Sequence, residues 1–321
     1  MVFKIDSAAA GKTVLAFLKS TLKISGAALS KLKRDEKGIM ANGDHVTVRY
    51  TLCEGDILSI NETDLPGEQS EHIDPVDIPI NIIFENDDIM IINKPPYMPT
   101  HPSHGHTDDT LANAVAYKYL ERKIPFVFRP IGRLDRNTSG ISLVAKHAIS
   151  SSFLEYARRN KMFGKSYIAI LCGKLESDGW QTIETYMKRK ENSVIVRCVS
   201  EDNAEGAFTA VTKWRSLYSS DQISVVEAIP ITGRTHQLRV HFSHIGHALL
   251  GDDIYGEECP YISRHALHAF RLSIPIPYGE TVETFISPPP DDMKKAFNDL
   301  TSLSLDEIFL QTIKTYKGGQ D

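Results

Sequence analysis

Along the first sixty residues the apolar positions fall at helical spacing, first Val14, Leu15 and Leu18, then Ala28, Leu29 and Leu32, predicting two short helices. Ser25 stands where it can cap the second. Next, "IMANGDHVTV" places Asn-Gly between apolar residues, a strong hairpin signal, and "CEGDILSI" completes a small sheet. The pattern then lapses. "NETDLPGEQSEHIDPVDIP" is polar, acidic and broken by prolines, the composition of a linker. Folded patterning resumes at "INIIFENDDIMIINKPP", where two apolar runs flank a polar turn and predict another hairpin.

"DDTLANAVAYKYLERK" and residues 148–160 read as helices. From Tyr167 onward strands dominate: "SYIAILCGKL", "NSVIVRCVS", "AFTAVTKWRSL" and "ISVVEAIPI". A short helix interrupts them, with Leu238, Phe242 and Ile245 on one face and Arg234, His241 and His244 off it. "LHAFRLSIPIP" and "ETVETFIS" are late strands, and "SPPPDDMKKAFNDL" opens a terminal helix. Many hairpin-joined strands with few helices predict an α+β fold on a mixed, mostly antiparallel sheet. The expected division is a small module over residues 1–60, a linker over 61–79 and a large domain over 80–321.

Composition adds compartment and charge. Hydrophobic residues make up 41% and charged residues 24%, an ordinary globular mixture. No apolar run approaches the roughly 18 residues that span a bilayer, and the amino terminus lacks the pattern of a secretory signal. Cys53, Cys172, Cys198 and Cys259 are scattered, as expected of free thiols in a reducing cytoplasm. The net charge of −5 argues against coating nucleic acid by bulk electrostatics. Its distribution is uneven, however: residues 1–60 carry nine lysines and arginines against six acids, whereas residues 61–80 carry six acids and no lysine or arginine. Lys31, Lys33 and Arg34 cluster near the end of the second helix.

Three segments could carry chemistry. In "GRLDRNTSG" Asp135 stands between Arg133 and Arg136, ahead of a tight turn and the apolar run "ISLVAK". An aspartate in a polar turn is ordinarily structural. A carboxylate kept ionised by neighbouring arginines nevertheless suits a nucleophile or base better than a proton donor. "GRTHQLRVHFSHIGHALLGDDIYG" is rich in histidine, but His236, His241, His244 and His247 lack metal-ligand spacing and no cysteine is near, so no metal is expected. Gly233-Arg234 at a helix start reads instead as a cation aimed into a cleft. In "KSYIAIL", Tyr167 opens a strand beside Lys165, with Lys161 nearby, the company an aromatic needs to stack a base.

"GRLDRNTSGISLVAK", "KSY", "GRTHQLRVHFSHIGHALLGDDIYG" and "LHAFRL" occur in the order and at about the spacing of the RluA family of pseudouridine synthases, which the chain resembles over nearly its whole length. Residues 12–60 look like the small RNA-binding module named after ribosomal protein S-four. The resemblance implies isomerisation of uridine within RNA: the C1′–N1 bond breaks, the uracil turns, and a C1′–C5 bond forms, with no cofactor. It assigns the essential aspartate to Asp135 and the stacking ring to Tyr167. Arg234 is the preferred partner of Asp135, with Arg239 the second candidate. Arg133 corresponds to the arginine that meets the RNA where the base leaves its stack. Lys31, Lys33, Arg34, Lys165 and Arg239 are expected RNA contacts. The family usually has histidine before that first arginine; here Gly132 stands in its place. The "NKPPYMPTHPSHGH" stretch also departs from the more apolar segment usual there.

The expected partner is RNA, with ribosomal RNA favoured by the extra module and transfer RNA the alternative. No membrane association is expected, and a monomer is the default. Two rivals remain from the residues themselves. One is an RNA-binding assembly factor with an inactive pocket. The other is a hydrolase using paired acids such as Asp252 and Asp253, although in "LLGDDIYG" these read better as ordering a loop.

Overall fold

The computed structural model describes residues 1–64, 70, 73–123, 125, 127–279 and 281–317. The amino-terminal helices form where the spacing places them, α1 at Val14–Ser20 and α2 at Gly26–Arg34. Thr13 and Ser25 cap them, each side chain accepting from a backbone N–H three residues on at 3.2 Å. The hairpin joins β2 (Ile39–Ala41) to β3 (Asp44–His45). Asn42 and Gly43 both take positive φ, 54° and 90°, as a two-residue turn matched to strand twist requires. With β1 (Val2–Lys4) and β4 (Ile57–Ile60) these strands make a four-stranded antiparallel sheet, order β1-β4-β2-β3.

This part has its own core, in which Val14, Leu18, Leu22, Leu32, Leu52 and Leu58 are buried. It is also docked on the larger part. Ile149 joins that core, and Ser152 donates to Ser25 at 3.0 Å. Asp64 receives Lys31 at 2.6 Å and both terminal nitrogens of Arg129 at 2.9 and 2.7 Å. The expected linker is therefore docked where it is described. Asp64 is buried, and Ile73 and Ile78 pack beneath the next sheet. Its residues 65–69, 71 and 72 lie outside the described residues.

The second sheet has eleven strands: β5 (Asn81–Glu85), β6 (Ile89–Lys94), β7 (Arg129–Pro130), β8 (Ser139–Ala145), β9 (Gly164–Cys172), β10 (Gln181–Arg189), β11 (Arg197–Ser200), β12 (Phe208–Ser219), β13 (Ile223–Pro230), β14 (Leu267–Pro275) and β15 (Val282–Ile286). Its main path runs β11-β10-β12-β13-β9-β14-β8-β6-β5. Among the described pairings of this sheet only β14 with β8 is parallel. At that seam Ala269 lies opposite Gly140. Gly140 has φ +109°, and a Cβ there would stand 2.2 Å from the Ala269 carbonyl oxygen, so only glycine permits the approach.

Helices cover both faces. On one, Tyr167, Ala169 and Leu171 of β9 pack with Leu238 and Phe242 of α5 (Gln237–His244). On the other, Ile168 and Ile170 meet Met293 and Phe297 of α6 (Asp291–Thr301) and Phe309 of α7 (Leu305–Lys317). Burial on both faces explains why β8 and β9 read as nearly unbroken apolar runs. The remaining helices, α3 (Leu111–Glu121) and α4 (Ala148–Arg159), fall where the sequence predicts them. The mixed, mostly antiparallel α+β architecture is as expected; β1 and β10 carry too little periodic signal to be anticipated, whereas α7 was missed although Leu305, Ile308, Phe309, Ile313 and Tyr316 recur at helical spacing.

Candidate active site

Asp135 sits on the turn leading from β7 into β8, half-buried rather than in open solvent. Its backbone is fastened on every side. Thr138 N–H closes the turn onto the Asp135 carbonyl at 3.1 Å, and Thr100 donates to the Leu134 carbonyl at 3.1 Å. The fully buried ammonium of Lys94 donates to the carbonyls of Pro95, Met98 and Arg136 at 2.9, 2.8 and 3.1 Å. Arg264, equally buried, reaches the Asn137 carbonyl at 3.0 Å while Asp292 holds its far side at 2.6 and 2.9 Å. Thr138 bonds His265 Nε2 and Ser139 bonds His268 Nδ1, each at 2.9 Å. His268 Nε2 lies 3.1 Å from the Ser287 carbonyl and must donate to it, so Nδ1 accepts from Ser139. Burial pushes His265 and His268 down to about 3 and about 4, keeping both rings neutral. Gly132, where the family usually has histidine, takes φ +80°, a left-handed backbone suited to glycine.

A chamber of about 130 Å³ opens beside the carboxylate, lined by Asp135, Tyr167, His236, Leu238, Arg239 and Leu267 among others. It is a single-ring space, the volume of about four ~30 Å³ water molecules. Arg133 and Arg234 line both this chamber and an outer cleft of about 350 Å³ that reaches His101 and Ser103. A wider cleft of about 780 Å³ between α2 and α4 shares no lining residue with the chamber and no acid near the turn.

Tyr167 stands between Ala228 of β13 and Ala269 of β14, small neighbours that leave its ring clear, and it is only 9% exposed. Burial, helped by the charge of Asp135, raises its hydroxyl well above the usual tyrosine range. Lys165, two residues earlier on the same strand face, places its ammonium 5.4 Å from the ring centroid. Burial pulls Lys165 down to about 8, with Asp135 opposing the shift. Lys94 is drawn down to about 7 by burial and by Arg264, again against Asp135. Asp135 thus lies within the field of the buried Lys94 ammonium, the half-buried Lys165 ammonium and Arg239.

The arginines are arranged differently from expectation. Arg234 makes no ion pair with Asp135: its Nε donates to the Thr209 carbonyl at 3.0 Å and its guanidinium lies over the Phe208 ring. The turn before α5 points it along the chamber mouth, where it remains exposed. Arg239, one helical turn in, is buried instead and cannot serve as a surface RNA contact. Asp252 holds it with two bonds of 2.8 and 2.6 Å, and its guanidinium lies 5.1 Å from the Tyr255 ring. Burial opposes its charge, but Asp252 and then Asp135 more than offset that and hold it above the ordinary arginine value. Neither arginine forms an ion pair with Asp135; Arg239 is the one buried in the chamber wall, where the charge of Asp135 adds to that of Asp252 in favouring its protonated form. Signal for this was absent from sequence, because Asp252 lies thirteen residues on.

Lys31 also departs from expectation. It is buried against Asp64, since the α2 face that bears it turns toward α4; Lys33 and Arg34 are exposed. His241, expected off the apolar stripe, is buried and bonds Thr185 at 3.1 Å. Asp252 is occupied by Arg239 and by the N–H groups of Ile254 and Tyr255, so it orders a loop and is unavailable as one of two hydrolytic acids. Sequence reasoning missed Lys94, Arg264, His265 and His268; the Lys-Pro and "RHALH" segments contain them without any periodic cue.

An ionisable acid, a stacking ring and a buried arginine around a single-ring space can act on one extruded base. The comparisons agree. The model of the RNA pseudouridylate synthase family matches residues 88–244. The uncharacterized RNA pseudouridine synthase YjbO of Bacillus subtilis is 36% identical over 276 residues, covering 85% of this chain and 94% of that one. The ribosomal large subunit pseudouridine synthase D of Vibrio cholerae is 33% identical over 278 residues, covering 80% and 82%. Among solved structures, human RNA pseudouridylate synthase domain containing 1 aligns with a TM-score of 0.57 and 26% identity, over 74% of this chain and 95% of that one. The chain belongs to the RNA pseudouridylate synthase family. It is an isomerase acting on RNA. Among the described residues no helix is long and apolar enough to cross a membrane.

Proposed function

We propose that this enzyme converts uridine to pseudouridine in large-subunit ribosomal RNA, with Asp135 as the reacting carboxylate, Tyr167 stacking the extruded uracil and Arg239 orienting the acid. The observation that carries this reading is the shared chamber, in which Asp135, Tyr167 and Arg239 converge on a space sized for one ring. Flipping a nucleotide out of a helix costs a few kcal/mol, and stacking on Tyr167, about 1–3 kcal/mol, offsets it. Asp135 then attacks the sugar or removes a sugar proton while the chamber walls and the stacking ring retain the detached base. Leu238 and Leu267 exclude water there.

The RNA backbone would follow cations around the mouth. Arg133 and Arg136 stand on one side. On the other, Arg234 continues into a groove of about 310 Å³ lined by Lys188, Arg189 and Arg197. Residues 1–60 act as an S-four-like module adding affinity through Lys33 and Arg34. Ribosomal RNA is favoured because several relatives are named for the large ribosomal subunit. The four free cysteines suit the cytoplasm.

Mapping pseudouridine in ribosomal and transfer RNA from cells with and without the protein tests this. Loss of a site in the large ribosomal RNA is the expected result; loss confined to transfer RNA would replace the substrate, and no loss anywhere would overturn the reading.

A further inference from the structure

His236 lines the chamber with Asp135 and Tyr167, and nothing above uses it. Its backbone is left-handed, φ 58° and ψ 20°, a state that non-glycine residues keep only where their surroundings impose it. Gln237 does so: it accepts from the Thr232 hydroxyl at 2.7 Å and from Arg234 N–H at 3.0 Å, and donates to Val211 O and Thr212 Oγ1 at 3.0 Å each.

The ring itself is oriented by a second chain of contacts. The Tyr255 hydroxyl accepts the Arg197 N–H at 2.9 Å and lies 2.9 Å from His236 Nδ1. With Arg197 N–H already on the phenolic oxygen, donation of the Tyr255 hydrogen to Nδ1 is the arrangement that satisfies both the hydroxyl and the ring. Burial lowers the pKa of His236, although Asp135 opposes the shift, so the ring is neutral at pH 7. In that arrangement its single remaining proton is on Nε2.

We propose that the His236 Nε2–H group donates to a carbonyl oxygen of the extruded uracil and makes His236 a specificity-determining residue. This inference rests on the assignment of Asp135 and Tyr167 to the reacting chamber. The chemistry of the turn supports it. Exchanging N1 for C5 at the sugar requires half a revolution about the axis through N3 and C6, and that motion also exchanges O2 with O4. A fixed N–H at one edge of the ring therefore meets a carbonyl both before and after the turn. Cytosine carries an amino group at position 4, so in one orientation two donors would face each other. A desolvated donor without an acceptor is a strong basis for rejecting the wrong base. His236 itself neither gives nor takes a proton.

Large-subunit ribosomal RNA transcribed with uridine, 2-thiouridine or 4-thiouridine is the probe, with the product nucleoside quantified after digestion under single-turnover conditions. His236→Ala should lower the rate about tenfold or more, with RNA affinity unchanged. His236→Gln, whose amide nitrogen reaches the place of Nε2, should restore most of it; His236→Asn, whose amide lies where Nδ1 stood, should not. A purely structural role for His236 in the turn predicts the reverse, because asparagine tolerates the left-handed backbone. Sulfur accepts hydrogen bonds poorly, so either thio substitution should slow the wild type several-fold and leave His236→Ala no slower than on ordinary RNA. Full activity of His236→Ala, better rescue by asparagine, or an undiminished thio effect in that variant overturns the inference. Asp135→Asn in the same assay separates the two claims: its activity would sink the chamber assignment, whereas its silence beside a His236→Ala as fast as the wild type sinks only the role of His236. A wild type silent on this RNA sinks the substrate reading.

Discussion

Lys94 and Arg264, both buried and both cationic, grip consecutive carbonyls, those of Arg136 and Asn137, immediately after Asp135. The two charges repel: with burial, Arg264 helps draw Lys94 down to about 7. The arrangement persists because backbone oxygens satisfy Lys94 and because Asp292 neutralises Arg264. The direction in which the chain leaves Asp135 is thereby fixed from segments distant in sequence.

Arg264→Met should test that arrangement. It strands the Asn137 carbonyl and breaks the pair with Asp292, and is expected to lower unfolding stability by about 3 kcal/mol. Urea denaturation at pH 7 measures it, and a change below about 0.5 kcal/mol would show that the buried guanidinium is dispensable.

Lys165 gives a pH prediction. Its folded pKa is depressed from the ordinary 10.5 to about 8, so its charge is present below pH 8 and lost as pH rises through that value. If the ammonium contributes to RNA capture beside Tyr167, single-turnover activity should fall across pH 7.5–9. Lys165→Arg, which stays charged throughout, should flatten that alkaline limb. An unchanged limb would assign the decline elsewhere.

Asp135→Asn should leave RNA affinity within about twofold of wild type and reduce product formation by at least about 1000-fold. Filter binding and nucleoside analysis on one preparation distinguish the two effects. Normal product yield would remove Asp135 from the chemistry.

The two arginines of the helix segment should separate kinetically. Arg239→Lys loses the two-pronged hold of Asp252 and should lower the catalytic rate about 100-fold with RNA affinity preserved. Arg234→Ala should instead weaken binding and reduce the salt slope by about one. The opposite pattern, rate loss at Arg234 alone, would restore Arg234 as the partner of Asp135.

Much of this was legible in the sequence, for reasons that are local. Asn42-Gly43 specifies its own turn, Ser25 its own cap, and the stripe of Leu238 and Phe242 its own helix. What stayed hidden was the outcome of long-range pairing. A guanidinium at position 234 or 239 looks the same until folding buries one against Asp252 and leaves the other over Phe208. Lys31 likewise reads as a surface cation, and only the approach of α4 and Asp64 makes it an interior one. β10, with Glu184, Lys188 and Arg189 scattered through it, is held chiefly by its neighbours β11 and β12 rather than by its own pattern.

The bare backbone of Gly140 has a consequence beyond its own strand. Because Ala269 occupies the place where a side chain would begin, the two wings of the large sheet interlock at that point like a key in a slot and cannot slide past one another. Asp135 comes from the turn that leads into the strand on one flank of that joint and Tyr167 from the far neighbour of the other. Even a single added methyl there would pry acid and ring apart without touching either.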